Sequence, residues 1–400
     1  MKNNKLPGSH WYTYAFVYGV IKPFLIIYLF FQNVHYRRNG FKVPREPVFF
    51  IGNHHSNWDG FYHCVMFYGR IPHFIVHDEL FKSKGFARFF GNFLGQLPRA
   101  RIPGAMTPII TIKRLLSAGQ SVNVYPEGDI SMFGTTIPID ISIAKMARML
   151  DVPVIITRVK GAHLRAPRWS RLPHHSRITY EISDIIFQEE LKIMTIEELH
   201  SRIKKGIYVC AYDDREKEKV KVWGGHRAEW IELGLFYCPS CHRYETIVSR
   251  GNDFVCLHCG MLGHVNRQLM IETYPNQYFT RPDKWDDYQQ QELKSMLNKA
   301  VAEELLFSLG QGQCEIVPID TFFKMKGRKV TAKLFKDRID IAGENDFRVT
   351  INIIDIVESQ VQYKDVFEII TKYRRIRLWR KTPKWSAYLW ANCVKILKEI

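Results

Sequence analysis

The chain has 400 residues, 46% of them hydrophobic, which is more than a usual single domain needs and enough for a substantial core, so two or three domains are expected. Lys and Arg (57) outnumber Asp and Glu (40), giving a formal net charge of +17. That balance favours an anionic partner, whether nucleic acid, the phosphates of a thioester cofactor or an acidic membrane, and by itself does not choose among them.

Residues 1–36 read as a membrane-associated helical segment. From Trp11 to Phe31 the only charged residue is Lys22, and Pro23 to Phe31 is intensely apolar. The stretch is just long enough to cross a bilayer, but Lys22 and Pro23 stand at its midpoint, where a charge and a helix interruption are least tolerated. A bent or half-inserted surface helix is therefore expected in preference to a true span or a buried helix. Trp11, Tyr12, Tyr14, Phe16 and Tyr18 suit the interfacial layer. No small-residue cleavage pattern follows, which argues against a signal peptide.

Residues 37–222 read as an α/β domain. The apolar run Val48-Phe49-Phe50-Ile51-Gly52 predicts a buried strand, and Asn53-His54-His55-Ser56-Asn57-Trp58-Asp59 follows at its C-terminal end, where α/β proteins display polar chemistry. A neutral imidazole held by a carboxylate can take a proton from a hydroxyl. In continuous helix His55 and Asp59 share a face, whereas His54 and Asp59 do not. Ser56 and Asp59 also read as a capping box, which starts the helix after Ser56 and leaves His54 in the preceding turn, free to fold back over it. Spacing alone leaves both histidines open, along with a pair that only caps a helix. No serine or cysteine nucleophile has a comparable setting.

Three more segments follow in order. Gly95-Gln96-Leu97-Pro98-Arg99-Ala100-Arg101 is a short strand running into arginines, residue types that give a phosphate two parallel charged hydrogen bonds, although a solvated basic loop reads the same way. Val122-Asn123-Val124-Tyr125-Pro126-Glu127-Gly128-Asp129-Ile130-Ser131 is a strand followed by a turn, in which Gly128 permits a close backbone approach by a ligand or simply makes a tight turn. Asp151 to Thr157 is a buried strand entered through Pro153.

Together these four segments resemble the glycerolipid acyltransferase family, best known for members that acylate lysophosphatidic acid at the membrane surface. The family's His, four residues, Asp motif falls on His54 and Asp59, and the resemblance implies that His54 is the general base and Asp59 its orienting carboxylate. It implies that Arg101, with Arg99 beside it, contacts the acceptor phosphate, and that Glu127 and Gly128 belong to the substrate-binding turn. The family's usual Pro-Glu-Gly-Thr-Arg-Ser departs here to Asp129 and Ile130, which removes a cation where the family holds phosphate or orders its site. Pro153 falls near the family's acyl-donor site. The implied reaction is direct transfer of a fatty acyl group from acyl-CoA or acyl-carrier protein to a lysophospholipid hydroxyl, most closely that of 1-acylglycerol-3-phosphate, in phospholipid synthesis. Membrane lipid and an acyl thioester are the implied partners, with acyl carrier protein as a further one. Two other readings compete, a catalytically silent lipid-binding scaffold and nucleic-acid binding, and both leave the ordered motif residues unexplained.

Helix and strand patterns continue through Ile109–Leu116, Ile143–Leu150 and Arg177–Ile182. A closing helix begins at Ile196, with Thr195 and Glu198 as its capping box. A charged run from Asp213 to Lys219 reads as a linker or a fraying helix end.

Residues 230–265 carry Cys238-Pro239-Ser240-Cys241 and Cys256-Leu257-His258-Cys259. Paired knuckles at this separation bring four thiolates to one tetrahedral structural zinc, as in a zinc ribbon. With every position a cysteine, no open catalytic position is expected. Thiols and zinc imply a reducing compartment, so the protein is expected to be membrane-associated with its catalytic domain facing the cytoplasm. Ribbons often bind nucleic acid, yet this one follows a lipid-type domain, and an interdomain supporting role is the expectation.

Residues 280–310 read as a helical connector. Residues 318–400 read as a β-rich module, with alternating strands at Val330–Phe335, Arg338–Ile341 and Phe347–Ile351 and a last helix from Ser386 that exposes Trp390 and Leu397 on one face. Strands closed by one helix resemble a pleckstrin-homology-like or GRAM-like module, and Arg374, Arg375, Arg377 and Arg380 read either as lipid-headgroup contacts or as an ordinary solvated face. The expected fold class is thus α/β: a central mixed sheet with flanking helices behind an N-terminal membrane-associated helix, followed by a zinc ribbon and a small β-rich domain.

Overall fold

The computed structural model describes residues 11–67, 72–77, 81, 83–98, 107–213, 221–324, 326–381 and 384–400. Its architecture is the expected one: an N-terminal apolar helix, a central mixed sheet with flanking helices, a cysteine cluster and an antiparallel β-rich region. The chain forms two compact units. One holds Met1–Ala100, Gly104–Arg168 and Pro173–Trp223, and the other holds Gly224–Ile400 with the short stretch Trp169–Leu172.

In the first unit the apolar N-terminal segment is helical as Trp11–Phe16 and Lys22–Phe31, joined by a π turn over Val17–Ile21. Pro23 has no N–H to give the preceding turn, which is a physical reason for the helix to widen there. Val17, Leu25 and Leu29 are buried, whereas Phe24, Ile27, Phe30 and Phe31 face outward. Lys22 is also buried, with Nζ 3.5 Å from the Phe67 carbonyl, so the one charge in the segment points into the protein.

The central sheet has seven strands: β1 Val34–Arg37, β2 Phe49–Gly52, β3 His73–Val76, β4 Leu97–Pro98, β5 Val122–Val124, β6 Val154–Lys160 and β7 Ile178–Ile186. Their spatial order is β1-β7-β6-β2-β5-β3-β4, and every neighbouring pair is parallel except β6 with β7. Strand β2 lies in the middle and is buried on both faces, which explains its unbroken apolar run. Phe49 and Ile51 pack with residues of the helices Thr107–Ser117, Ser142–Leu150 and Ile196–Ile207, and Phe50 packs on the other side with Leu25, Leu29, Tyr62 and Tyr180. The helix from Ile196 is capped as expected, with Thr195 Oγ1 accepting from the Glu198 amide (3.1 Å) and Glu198 Oε2 from the Thr195 amide (2.7 Å).

In the second unit, β8 Ile247–Arg250, β9 Asp253–Cys256, β10 Leu262–Val265 and β11 Ile271–Tyr274 form a four-stranded antiparallel sheet. Seven more antiparallel strands follow: β12 Phe307–Pro318, β13 Arg328–Leu334, β14 Arg338–Gly343, β15 Arg348–Asn352, β16 Ile356–Gln362, β17 Val366–Thr371 and β18 Arg374–Trp379, in the order β15-β14-β13-β12-β18-β17-β16. The helices Pro282–Lys299 and Ala387–Leu397 pack into one core with them through Leu293, Leu297, Trp390 and Val394. Two expectations change here. Trp390 is buried rather than exposed, because the last helix lays that face on the sheet. Arg375 and Arg377 are buried and both bonded to Glu368, at 2.9 and 2.8 Å, with the Arg377 guanidinium 4.1 Å from the Phe323 ring centroid; they hold the sheet together and do not meet headgroups at its surface.

Candidate active site and cysteine cluster

The parallel strands β2, β5 and β6 end on the same edge of the sheet, and the candidate site is built where their chains leave it. Gly52 closes β2. A Cβ there would meet Thr157 Oγ1 at 2.9 Å and the Tyr125 ring at 3.2 Å, so glycine is what lets the three strand ends come together. Asn53 then bonds both backbone groups of Val159, its amide to the carbonyl (3.0 Å) and its oxygen to the N–H (2.7 Å), as a neighbouring strand would. This fixes the chain one residue before His54.

His54 Nδ1 lies 2.9 Å from Asp59 Oδ2. The His54 side chain is 24% exposed and that of Asp59 is fully buried. The same Asp59 oxygen accepts from the His55 amide (2.8 Å) and the Ser56 amide (3.0 Å), so three donors hold it in place. Burial pushes the Asp59 carboxyl up, and its bonds to His54 and the two amides pull it back. The helix begins at Asp59, later than the capping-box reading placed it. Asp59 still reaches back to the Ser56 amide, but the Ser56 hydroxyl accepts from the Trp58 amide (3.1 Å) instead of capping the helix. His54 sits in the preceding turn and folds over this first helical turn. The His55 ring is buried, which drives its pKa down to about 3 and keeps it neutral.

The turn Tyr125–Gly128 abuts His54 from β5. Gly128 N–H donates to the Tyr125 carbonyl (3.2 Å) and has φ +71°, with Pro126 at the second position. Glu127 is buried, and its two carboxylate oxygens accept from the backbone N–H of His54 and of Ile137, each at 2.6 Å. These bonds order the turn that the resemblance implies is substrate-binding. Burial raises the Glu127 carboxyl to about 8 against the pull of those two amides. The Tyr125 ring stacks on His54, centroids 4.6 Å apart and planes at 11°. Tyr125 and Asn53 were not singled out from the sequence, since nothing local marks a tyrosine that stacks or an asparagine that bonds 106 residues away. Arg99 and Arg101 lie outside the described residues.

The cysteine cluster belongs to the second unit. The sulfurs of Cys238, Cys241, Cys256 and Cys259 all lie within 4.8 Å of one another. Cys238 and Cys259 are 3.8 Å apart and Cys241 and Cys256 3.7 Å, against about 3.8 Å for two thiolates on one tetrahedral zinc. The set fits a structural zinc ion held by all four sulfurs, with no position left for a substrate. Next to Cys238 the chain is fixed by the helix Pro282–Lys299: Trp285 Nε1 donates to the Tyr237 carbonyl (2.9 Å), and Gln289 bonds the Phe236 amide and the Gly234 carbonyl.

The profile of the family described as Acyltransferase matches residues 32–159, the stretch that carries His54, Asp59 and the Tyr125–Gly128 turn. The chain thus carries an acyltransferase-family domain, a match that supports an acyltransferase-type enzyme in general terms. No curated protein matches it. Among solved structures, the chain is similar to the 1-acyl-sn-glycerophosphate (LPA) acyltransferase PlsC from Thermotoga maritima, at 18% identity and a TM-score of 0.41 over 48% of this chain and 77% of that one. It is also similar to the N-terminal PH domain of human ARAP2, at 18% identity and a TM-score of 0.20 over 23% of this chain and 79% of that one.

Proposed function

We propose that the protein transfers a fatty acyl group from an acyl-CoA or acyl-carrier-protein thioester to the free hydroxyl of a lysophospholipid, with 1-acylglycerol-3-phosphate as the leading acceptor. The observation that supports this reading most is the His54–Asp59 pair, a partly exposed imidazole on a fully buried carboxylate at a strand end. In the reaction, His54 takes the proton from the acceptor hydroxyl as its oxygen attacks the thioester carbonyl carbon. Asp59 keeps Nδ1 protonated and stabilises the imidazolium. The tetrahedral intermediate then expels the thiolate, which receives the proton from His54, leaving an ester and a free thiol with no acyl-enzyme. Arg101, with Arg99, is proposed to bind the acceptor phosphate, and Glu127 with Gly128 to hold the turn beside it. Zinc on Cys238, Cys241, Cys256 and Cys259 would supply a cross-link in the second unit and no chemistry in the transfer. The N-terminal helix is proposed to bring this site to the cytoplasmic face of a membrane.

The test is to offer purified protein a panel of lysolipids with long-chain acyl-CoA and acyl-carrier-protein donors and to identify products by mass. An ester product formed with a phosphate-bearing lysolipid and absent from His54→Ala is expected. No product with any pair, from protein that is folded and membrane-bound, would sink the proposal.

A further inference from the structure

Asp129 and Ile130 stand where the resembling family has Thr and Arg, so this turn lacks a cation of its own. A guanidinium reaches it from another part of the first unit. Arg168, just beyond the short helix Ala162–Arg165, places Nη1 2.8 Å from Asp129 Oδ2 and 2.5 Å from the Ile130 carbonyl. The other Asp129 oxygen accepts from the Ile130 amide at 2.8 Å. The Arg168 side chain is only 10% exposed and that of Asp129 39%, so the ion pair is partly shielded from water and salt.

This pair is tied to His54 by two short paths. The residue after Ile130 is Ser131, whose N–H donates to the His54 carbonyl (3.4 Å), and the residue two before Asp129 is Glu127, whose carboxylate takes the His54 N–H (2.6 Å). Both peptide groups that flank the His54 side chain are therefore held by the turn that Arg168 clamps. We propose that Arg168 is a positioning residue for His54, which supplies through its ion pair with Asp129 the order that the turn's own sequence no longer supplies. The catalytic consequence rests on the acyl-transfer reading above; the ordering of the turn does not.

Variants of the full-length protein test it. Arg168→Ala removes the clamp, and Asp129→Asn removes the ion pair while keeping the arginine and the side-chain volume, so it stands as the test if Arg168→Ala fails to fold. Hydrogen exchange followed by mass spectrometry should show the amides of His54 and Ser131 exchanging roughly tenfold faster in either variant, with peptides of β6 unchanged. In transfer assays kcat should fall roughly 10²-fold while KM stays within about threefold for acceptors with and without phosphate, because orientation is lost and binding is not. Arg168→Lys should recover part of that loss. The double variant should be no worse than the worse single one, as expected for residues acting as a unit. Unchanged exchange at His54 and Ser131 would overturn the proposal, and so would a KM increase confined to phosphate-bearing acceptors, which would make Arg168 a substrate ligand. If the wild type transfers no acyl group at all, the functional reading falls, and hydrogen exchange still decides the role of Arg168.

Discussion

With Nδ1 of His54 committed to Asp59, the proposed proton transfers run through Nε2, and the two residues contribute differently. His54→Ala should abolish transfer with the fold intact. Asp59→Asn can keep an oxygen on the His55 and Ser56 amides but loses the charge, so kcat should fall by roughly 10²–10⁴-fold with little change in thermal stability. Steady-state kinetics together with circular dichroism check both, and full activity in His54→Ala alongside loss in His55→Ala would reverse the assignment. Glu127 offers a pH signature. Its carboxyl rises from 4.5 to about 8 on folding, so the folded state binds the proton more tightly than the unfolded one. Its contribution is fully present below about pH 4.5, is lost as pH rises toward 8, and is constant beyond. Glu127→Gln should flatten the fall in melting temperature across that window relative to wild type. It should also lower kcat, because an amide NH₂ faces one of two backbone N–H donors where a carboxylate oxygen stood, at a cost of about 1–3 kcal/mol. Melting curves at closely spaced pH values decide the first point, and an unchanged slope would contradict it.

At the scale of elements, the cysteine cluster is tied into the second unit. The segment from Gly234 to Cys238 is bonded to the helix Pro282–Lys299, and that helix shares a core with β12 to β18, so releasing the metal should loosen the second unit as a whole. Structural zinc sites of this kind contribute on the order of 10 kcal/mol. Cys256→Ser should lower zinc content and melting temperature, and a strong chelator should do the same to the wild type, both measured by metal analysis and differential scanning fluorimetry. The full chain is the right material, because Trp169–Leu172 cluster with the second unit and a fragment ending at Trp223 would divide it. The same elements show what the sequence could reveal. Strands β2, β5 and β6 and the helix from Ile196 were legible because burial and caps leave local patterns. Strand β12 was missed, since Gly310 and Gly312 and their polar neighbours break its alternation where the ladder itself shifts register. Strands β17 and β18 were hidden by Glu368, Arg375 and Arg377, charges that a periodic reading sends to solvent and that the fold buries against one another. At the site, residue types and spacing mark the segment from His54 to Asp59 but leave both histidines open, and the family resemblance is what implies His54. The stack with Tyr125, the Asn53 bonds to Val159 and the Arg168 clamp are made by segments that only the folded sheet brings together.

For the whole molecule, the question is what the N-terminal helix does with its outer side. Tyr12–Phe31 is long and apolar enough to cross a bilayer, with a mean hydropathy of 1.8, and only 17% of its most apolar window is buried. Phe24, Phe30 and Phe31 are each more than 70% exposed, while Lys22, Leu25 and Leu29 turn toward the protein. We propose that the helix lies in the membrane interface, with its inner side held on the domain and its outer side in lipid. The net charge of +17 adds attraction to anionic headgroups, a term that salt screens, whereas the aromatic term resists salt. Replacing Phe30 and Phe31 by Ser should therefore weaken binding to vesicles by about 3–6 kcal/mol, roughly 10²–10⁴-fold in partitioning, if each ring is buried in lipid. Because neither ring packs on the domain, the melting temperature should stay within a few degrees. Flotation with anionic and neutral vesicles at low and high salt separates the two terms: the wild type should lose part of its binding at high salt, and the double variant nearly all of it. Retention of the double variant on vesicles at high salt, equal to wild type, would mean that the exposed side of this helix is not what holds the protein to the membrane.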